Sequence, residues 1–428
     1  MLPFEQLESN VRSYCRTFPR VFERAKGAHL FSEDGSAYVD FFAGAGALNY
    51  GHNPDFIQSR LVDFIQSDRI MHGLDMYTTA KREFLLAFTE RILRPRGLVY
   101  KMQFCGPTGT NAVEAAIKLA RKVKGRTNMF SFMGGYHGMS LGSLAATSNL
   151  DSRAGAGRPL DGVTFIPYES GGFAIDSIAY MEHLLSDTHA GVDKPAAVIV
   201  ETVQAEGGVN VASADWLQSL KRLCEQHDLL LICDDVQVGC GRTGTFFSFE
   251  RAGIEPDMVV LSKSIGGCGL PMSLLLLRPE LDIWKPGEHN GTFRGNQLAF
   301  VAATAALELW EGSDFANEIV RKGAWLQSFL QHELSFLGDG ADIRGIGLLW
   351  GIDVARVGGP ALAKMVVELC FEKRLILERA GRNDTVLKLM PPLTIDMETL
   401  RVGCEVVRDA LRACCEVNGV GGATVRIG

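Results

Sequence analysis

A chain of 428 residues with 46% hydrophobic and 22% charged content is long enough for one large α/β unit with a smaller lobe, or for two or three domains, with the balance of an ordinary globular protein. Its net charge of −7, without any Lys/Arg run, argues against nucleic acid or an anionic membrane as partner. Residues 1–10 carry Glu5 and Glu8 and no apolar core, so no secretory leader is expected, and no charge-free apolar stretch approaches the ~20 residues of a membrane span.

The ten cysteines form no C-x-x-C pair and match no zinc spacing, so reduced thiols in a cytoplasmic protein and no metal site are expected. Cys414 and Cys415, near the chain end, are expected to be exposed. The tail at 416–422 reads as flexible.

In chain order, residues 29–42 read as a hairpin turning at Glu33-Asp34-Gly35-Ser36. From about 80 to 280, strands at 128–132, 163–167, 197–201, 229–234, 258–262 and 273–277 alternate with helical patterns such as 111–123 and 214–227. Continuous apolar strands between helices mean a mostly parallel sheet covered on both faces. Beyond 300 the pattern changes to long helices (298–311, 314–337) and short strands near 348–354 and 386–389. The expected organisation is a large α/β domain over 76–314 and a smaller α/β lobe built from 1–75 and 315–428.

Ligands of parallel sheets gather at the carboxyl ends of strands. Glu201, Asp234 and Lys263 each stand at such an end. Burial disfavours an ammonium, so Lys263 is suited to be an amine nucleophile, although a lysine that snorkels to the surface satisfies the same pattern. A carboxylate at Asp234 needs a cationic partner, which the protonated pyridine nitrogen of pyridoxal phosphate (PLP) supplies; a helix cap or structural ion pair is the plain alternative. Residues 105–111, Cys-Gly-Pro-Thr-Gly-Thr-Asn, open a helical segment whose first N–H groups form a phosphate cradle. In Gly134-Gly135-Tyr136-His137-Gly138, glycines permit close approach to a ligand and Tyr136 offers a ring to stack; a glycine-rich turn with a half-buried tyrosine fits equally.

The order Thr108-Gly109-Thr110, Tyr136-His137-Gly138, Glu201, Gln204-Ala205-Glu206-Gly207-Gly208, Asp234 with Gln237, Lys263 and Gly291-Thr292-Phe293-Arg294-Gly295-Asn296 resembles the class III (ω-)aminotransferases of PLP fold type I from end to end. The resemblance implies that Lys263 carries the coenzyme as an imine and shuttles the proton, Asp234 partners the ring nitrogen, and Gln237 is the donor near the ring hydroxyl. It implies a phosphate site at Gly109 and Thr110, stacking by Tyr136, and Thr292 reaching the phosphate of a partner subunit, hence a homodimer or higher homo-oligomer. Glu206 falls where the family keeps a gating glutamate. Residues 41–53, 72–76 and 284–296 are similar to the diaminobutyrate–2-oxoglutarate transaminases of ectoine biosynthesis, implying transfer of the L-glutamate amino group to L-aspartate 4-semialdehyde. Three positions depart from the family pattern: Thr108 for serine, Asp235 for glutamate, and Lys388 where arginine grips the substrate carboxylate. Lysine lacks the planar two-point grip of arginine. Lys388 and Arg294 are the candidate cations for substrate carboxylates.

Other readings stand beside this one. Gly138-Met139-Ser140-Leu141-Gly142 fits the G-x-S-x-G elbow of a serine hydrolase, with Asp257 and His289 as recruitable partners, although residues 134–137 separate it from the preceding strand. A PLP-binding regulator would need a DNA-reading module, and none is expected here. Transamination of 4-aminobutyrate or ornithine, or a semialdehyde aminomutase, would use the same fold. No nucleotide-binding glycine motif opens a helix.

Overall fold

The computed structural model describes residues 3–169 and 175–417. Its centre is a seven-stranded sheet in the order Lys101–Phe104, Leu274–Leu277, Met258–Leu261, Leu230–Asp234, Ala197–Val200, Met129–Phe132, Thr164–Ile166. Leu274–Leu277 pairs antiparallel with both neighbours and the remaining pairs are parallel, so six strands share one direction. The Met258–Leu261, Leu230–Asp234 and Ala197–Val200 strands are buried throughout, which explains their unbroken apolar runs. Register places Asp234 opposite Val260 and Cys233 opposite Val200. Asp234, Lys263 and Glu201 therefore emerge on adjacent strands at one edge of the sheet. Because Lys101–Phe104 runs in the same direction, the turn after it delivers residues 105–109 to that edge as well.

The expected strands all occur, shortened by a residue or so at their ends. Helix Gly109–Lys124 begins before the expected 111 because Thr108 and Asn111 form a capping box. Helix Asp314–Glu333 stops short of 337, where a 3₁₀ turn follows. Strand Lys101–Phe104 escapes a reading by apolar continuity, since it is a partly exposed edge strand.

The two chain ends meet in one sheet: Ala37–Asp40 pairs parallel with Leu375–Ile376, beyond the hairpin strands Phe22–Lys26 and His29–Ser32. A second four-stranded antiparallel sheet joins Asp342–Ile346, Leu349–Asp353, Val386–Leu389 and Glu378–Ala380. Helix Met397–Val417 turns Leu400, Cys404, Val407 and Leu411 into the core, and Cys414 and Cys415 with them. The expected exposure of those two thiols is thereby corrected: they occupy the buried stripe of an amphipathic helix. Of the expected flexible tail, residues 418–422 lie outside the described residues.

Candidate active site

Strand Met258–Leu261 ends at Ser262, whose hydroxyl donates to the Met272 carbonyl at 2.9 Å. The chain then turns sharply, and Lys263 takes φ 52°, a left-handed conformation that costs a side-chain-bearing residue about 1–2 kcal/mol. That turn aims its side chain into a cavity of about 300 Å³ shared with Thr108, Gly109, Tyr136, Glu206, Asp234 and Gln237. Burial pushes the Lys263 pKa below the ordinary 10.5, against the opposing pull of Glu206. Among the described residues, none forms a hydrogen bond or ion pair with its amine.

Asp234 is buried beside it. One carboxylate oxygen lies 2.7 Å from His137 Nδ1, and the other accepts from the Val236 N–H at 3.1 Å. The His137 backbone N–H donates to Thr147 Oγ1 at 2.9 Å, which anchors the ring's own chain segment. Burial alone would lower the His137 pKa; the hydrogen bond and charge of Asp234 outweigh it and raise the value. Glu201 accepts from the Tyr136 N–H at 3.0 Å, and burial lifts its pKa to about 8. Glu201 is thus mainly protonated at neutral pH. Asp235 points to the opposite side, where it accepts from the Ser248 N–H at 2.9 Å.

One end of the cavity is the start of helix Gly109–Lys124, whose first N–H groups have no intrahelical acceptor. A Cβ on Gly109 would sit 2.9 Å from Val236 Cγ1, and one on Gly138 would sit 2.5 Å from Thr110 Oγ1, so both glycines keep the cradle open. Thr110 Oγ1 lies 2.6 Å from Ser140 Oγ, which donates to Glu114 Oε1 at 2.6 Å. Ser140 is therefore a structural hydroxyl. Asp257 pairs with Lys221 and Arg278, and His289 stacks on Trp284, so the structure does not assemble the hydrolase residues.

Gln237 Nε2 donates to the Ala45 carbonyl at 2.8 Å and to Glu206 Oε1 at 2.9 Å, while its Oε1 is buried without a hydrogen-bond partner. An orphaned acceptor, a paired carboxylate, a lysine amine, an anion cradle and the exposed ring of Tyr136 line one cavity; this donor set fits pyridoxal phosphate.

Lys388, fully buried, stands 2.6 Å from Glu206 Oε1 and 2.8 Å from Glu378 Oε2. The two carboxylates raise its pKa despite burial. Thr292 and Arg294 are not brought to Lys263. Thr292 is exposed on its loop, and Arg294, which donates to the Asn290 carbonyl at 3.1 Å, lines a separate cavity of about 230 Å³ with Trp284 and His289. Motif reading left three participants unassigned: His137 as the Asp234 partner, Glu114 behind Thr110, and Glu378 behind Lys388. Only the last has a usable signal, a short strand preceding 386–389 that places an acid opposite Lys388.

The model of the family described as aminotransferase class-III matches residues 11–411. A diaminobutyrate--2-oxoglutarate transaminase of Bordetella parapertussis is 53% identical over 94% of this chain and 93% of its own length. A protein of the same name from Halalkalibacterium halodurans is 53% identical over 96% of each chain. Among solved structures, an ornithine aminotransferase of Toxoplasma gondii, whose active site is described as partially occupied by PLP, superposes with a TM-score of 0.85 at 27% identity, covering 97% of this chain and 94% of that one. The expected PLP fold type I agrees with this likeness.

Proposed function

The chain belongs to the class III aminotransferases, and from that premise we propose that it transfers the amino group of L-glutamate to L-aspartate 4-semialdehyde, giving L-2,4-diaminobutyrate and 2-oxoglutarate. The observation that carries this reading is the name shared by the Bordetella and Halalkalibacterium relatives, each matched over nearly the whole chain.

Bound pyridoxal phosphate supplies an aldehyde that takes up the amino group and a ring that stabilises negative charge at the substrate carbon. Lys263 Nζ would hold the coenzyme and, once released, would take the proton from the amino-acid Cα and deliver it to the coenzyme carbon that had carried the aldehyde. Its lowered pKa keeps a share of the amine unprotonated for that task. Asp234 holds positive charge on the ring nitrogen, and the His137 contact fixes its orientation. Gly109 and Thr110 would bind the phosphate, Tyr136 would stack on the ring, and Gln237 would lie at the ring hydroxyl, where its Nε2, expected as the donor, is already engaged by Ala45 and Glu206. Thr292, exposed on its loop, serves the phosphate of a neighbouring copy, so the active unit is a homodimer or higher oligomer. Lys388 receives the substrate carboxylate when Glu206 turns aside. We assign the reaction to ectoine biosynthesis in the cytoplasm.

Purified protein incubated with PLP, glutamate and a panel of semialdehydes tests this reading. Diaminobutyrate should form fastest. Faster formation of ornithine or 4-aminobutyrate overturns it, and product without glutamate would indicate an aminomutase.

A further inference from the structure

Lys388 is not held by Glu206 alone. It sits between two carboxylates that are held in different ways. Glu378 is its direct cross-strand partner: in the antiparallel pairing of Glu378–Ala380 with Val386–Leu389, Glu378 stands opposite Lys388, so register fixes the 2.8 Å contact. Glu206 comes from elsewhere, on a loop that passes through Gly207 and Gly208, the latter at φ 114°. Glu206 lines the cavity, whereas Lys388 and Glu378 stand behind it. Glu206 is therefore the side chain able to leave Lys388, and Glu378 is the one that stays.

We propose that Glu378 is a specificity-determining residue: a resident counter-ion that weakens the grip of Lys388 on the carboxylate of a dicarboxylate substrate. With Glu206 displaced, an incoming carboxylate meets a lysine whose charge is already half of a fixed ion pair. The attraction at Lys388 is opposed by a second negative charge a few ångströms behind it, in a site screened little by solvent. A lone arginine would hold the donor amino acid more tightly. The pair Lys388–Glu378 holds it loosely, so that glutamate and its oxo acid leave and the semialdehyde, whose reacting end carries no charge, enters the same cavity. This inference rests on the reading that Lys388 receives the carboxylate.

The test uses glutarate, a dicarboxylate without an amino group, titrated calorimetrically into the PLP-loaded protein; its dissociation constant does not depend on which semialdehyde is the acceptor. Glu378→Gln should tighten glutarate about tenfold. Glu378→Asp, which retains the charge, should stay within about threefold of the unmodified protein by the same reasoning. Lys388→Met should weaken glutarate markedly. Unchanged or weaker binding in Glu378→Gln, or tightening in Glu378→Asp equal to that expected for glutamine, overturns the proposal. If Lys388→Met leaves affinity untouched, the underlying assignment of Lys388 fails as well, which separates the two failures.

Discussion

His137 Nδ1 and Asp234 Oδ2 lie 2.7 Å apart, both buried and 97 residues apart in the chain. This contact fixes the carboxylate proposed to face the coenzyme ring, so removing it should be felt in coenzyme binding before anything else. His137→Ala is expected to weaken PLP affinity at least tenfold and to destabilise the protein by about 2–3 kcal/mol, because a buried carboxylate loses its partner. His137→Asn, which retains a donor, should recover part of both. Fluorescence titration with PLP and thermal melts measure the two effects; native PLP affinity in His137→Ala would refute the positioning role.

Lys263→Ala should lower turnover by at least about a thousandfold while PLP still binds without a covalent link. A variant that transaminates at near-native rate removes Lys263 from the chemistry.

The rate of the unmodified enzyme should rise with pH as Lys263 loses its proton, with a midpoint below the ordinary lysine value of 10.5. A profile of kcat, which reports the substrate-bound enzyme in which Lys263 has been released, between about pH 6 and 10 tests this. Absence of a rising limb would count against it.

Glu201 gives a stability prediction with a definite sign. Its folded pKa of about 8 exceeds the ordinary 4.5, so between those values the folded state binds more protons than the unfolded one. Stability therefore falls as pH rises through the window, by at most about 1.4 kcal/mol per unit from this group. Glu201→Gln, which cannot ionise, should flatten that slope and be the more stable form above pH 8. Denaturant melts across the range decide; parallel curves for the two proteins would show that Glu201 is not the source.

Gly109→Ala should cost about 1–3 kcal/mol of PLP binding, since the new methyl would press on Val236 at 2.9 Å beside the cradle. Equal PLP affinity in the alanine variant would show that the helix start does not bear on the phosphate.

The strand-end groups were legible because each interrupts an apolar run: Lys263 after Met258–Leu261, Asp234 after Leu230–Cys233, Glu201 after Ala197–Val200. A lone charge in such a run has no packing reason to be there, and parallel-sheet geometry says where its end points. The partners of those groups were not legible, because they depend on tertiary placement. His137 reaches Asp234 from a neighbouring turn, and nothing in its spacing marks the contact. Lys388 reads as a free cation only until the strand register supplies Glu378 and the loop through Gly207 and Gly208 supplies Glu206. Arg294, close to Thr292 in sequence, was expected at the substrate; its guanidinium is turned toward Asn290 in another cavity. Edge strand Lys101–Phe104 mixes polar and apolar residues, since only part of it is covered, and so resembles a loop in sequence.

Everything proposed for this site depends on one lysine carrying the coenzyme. Borohydride reduction of the PLP-loaded protein, followed by proteolysis and mass mapping, reads that lysine out. A single labelled peptide, modified at Lys263, is expected; labelling at a different lysine, or none, would refute it.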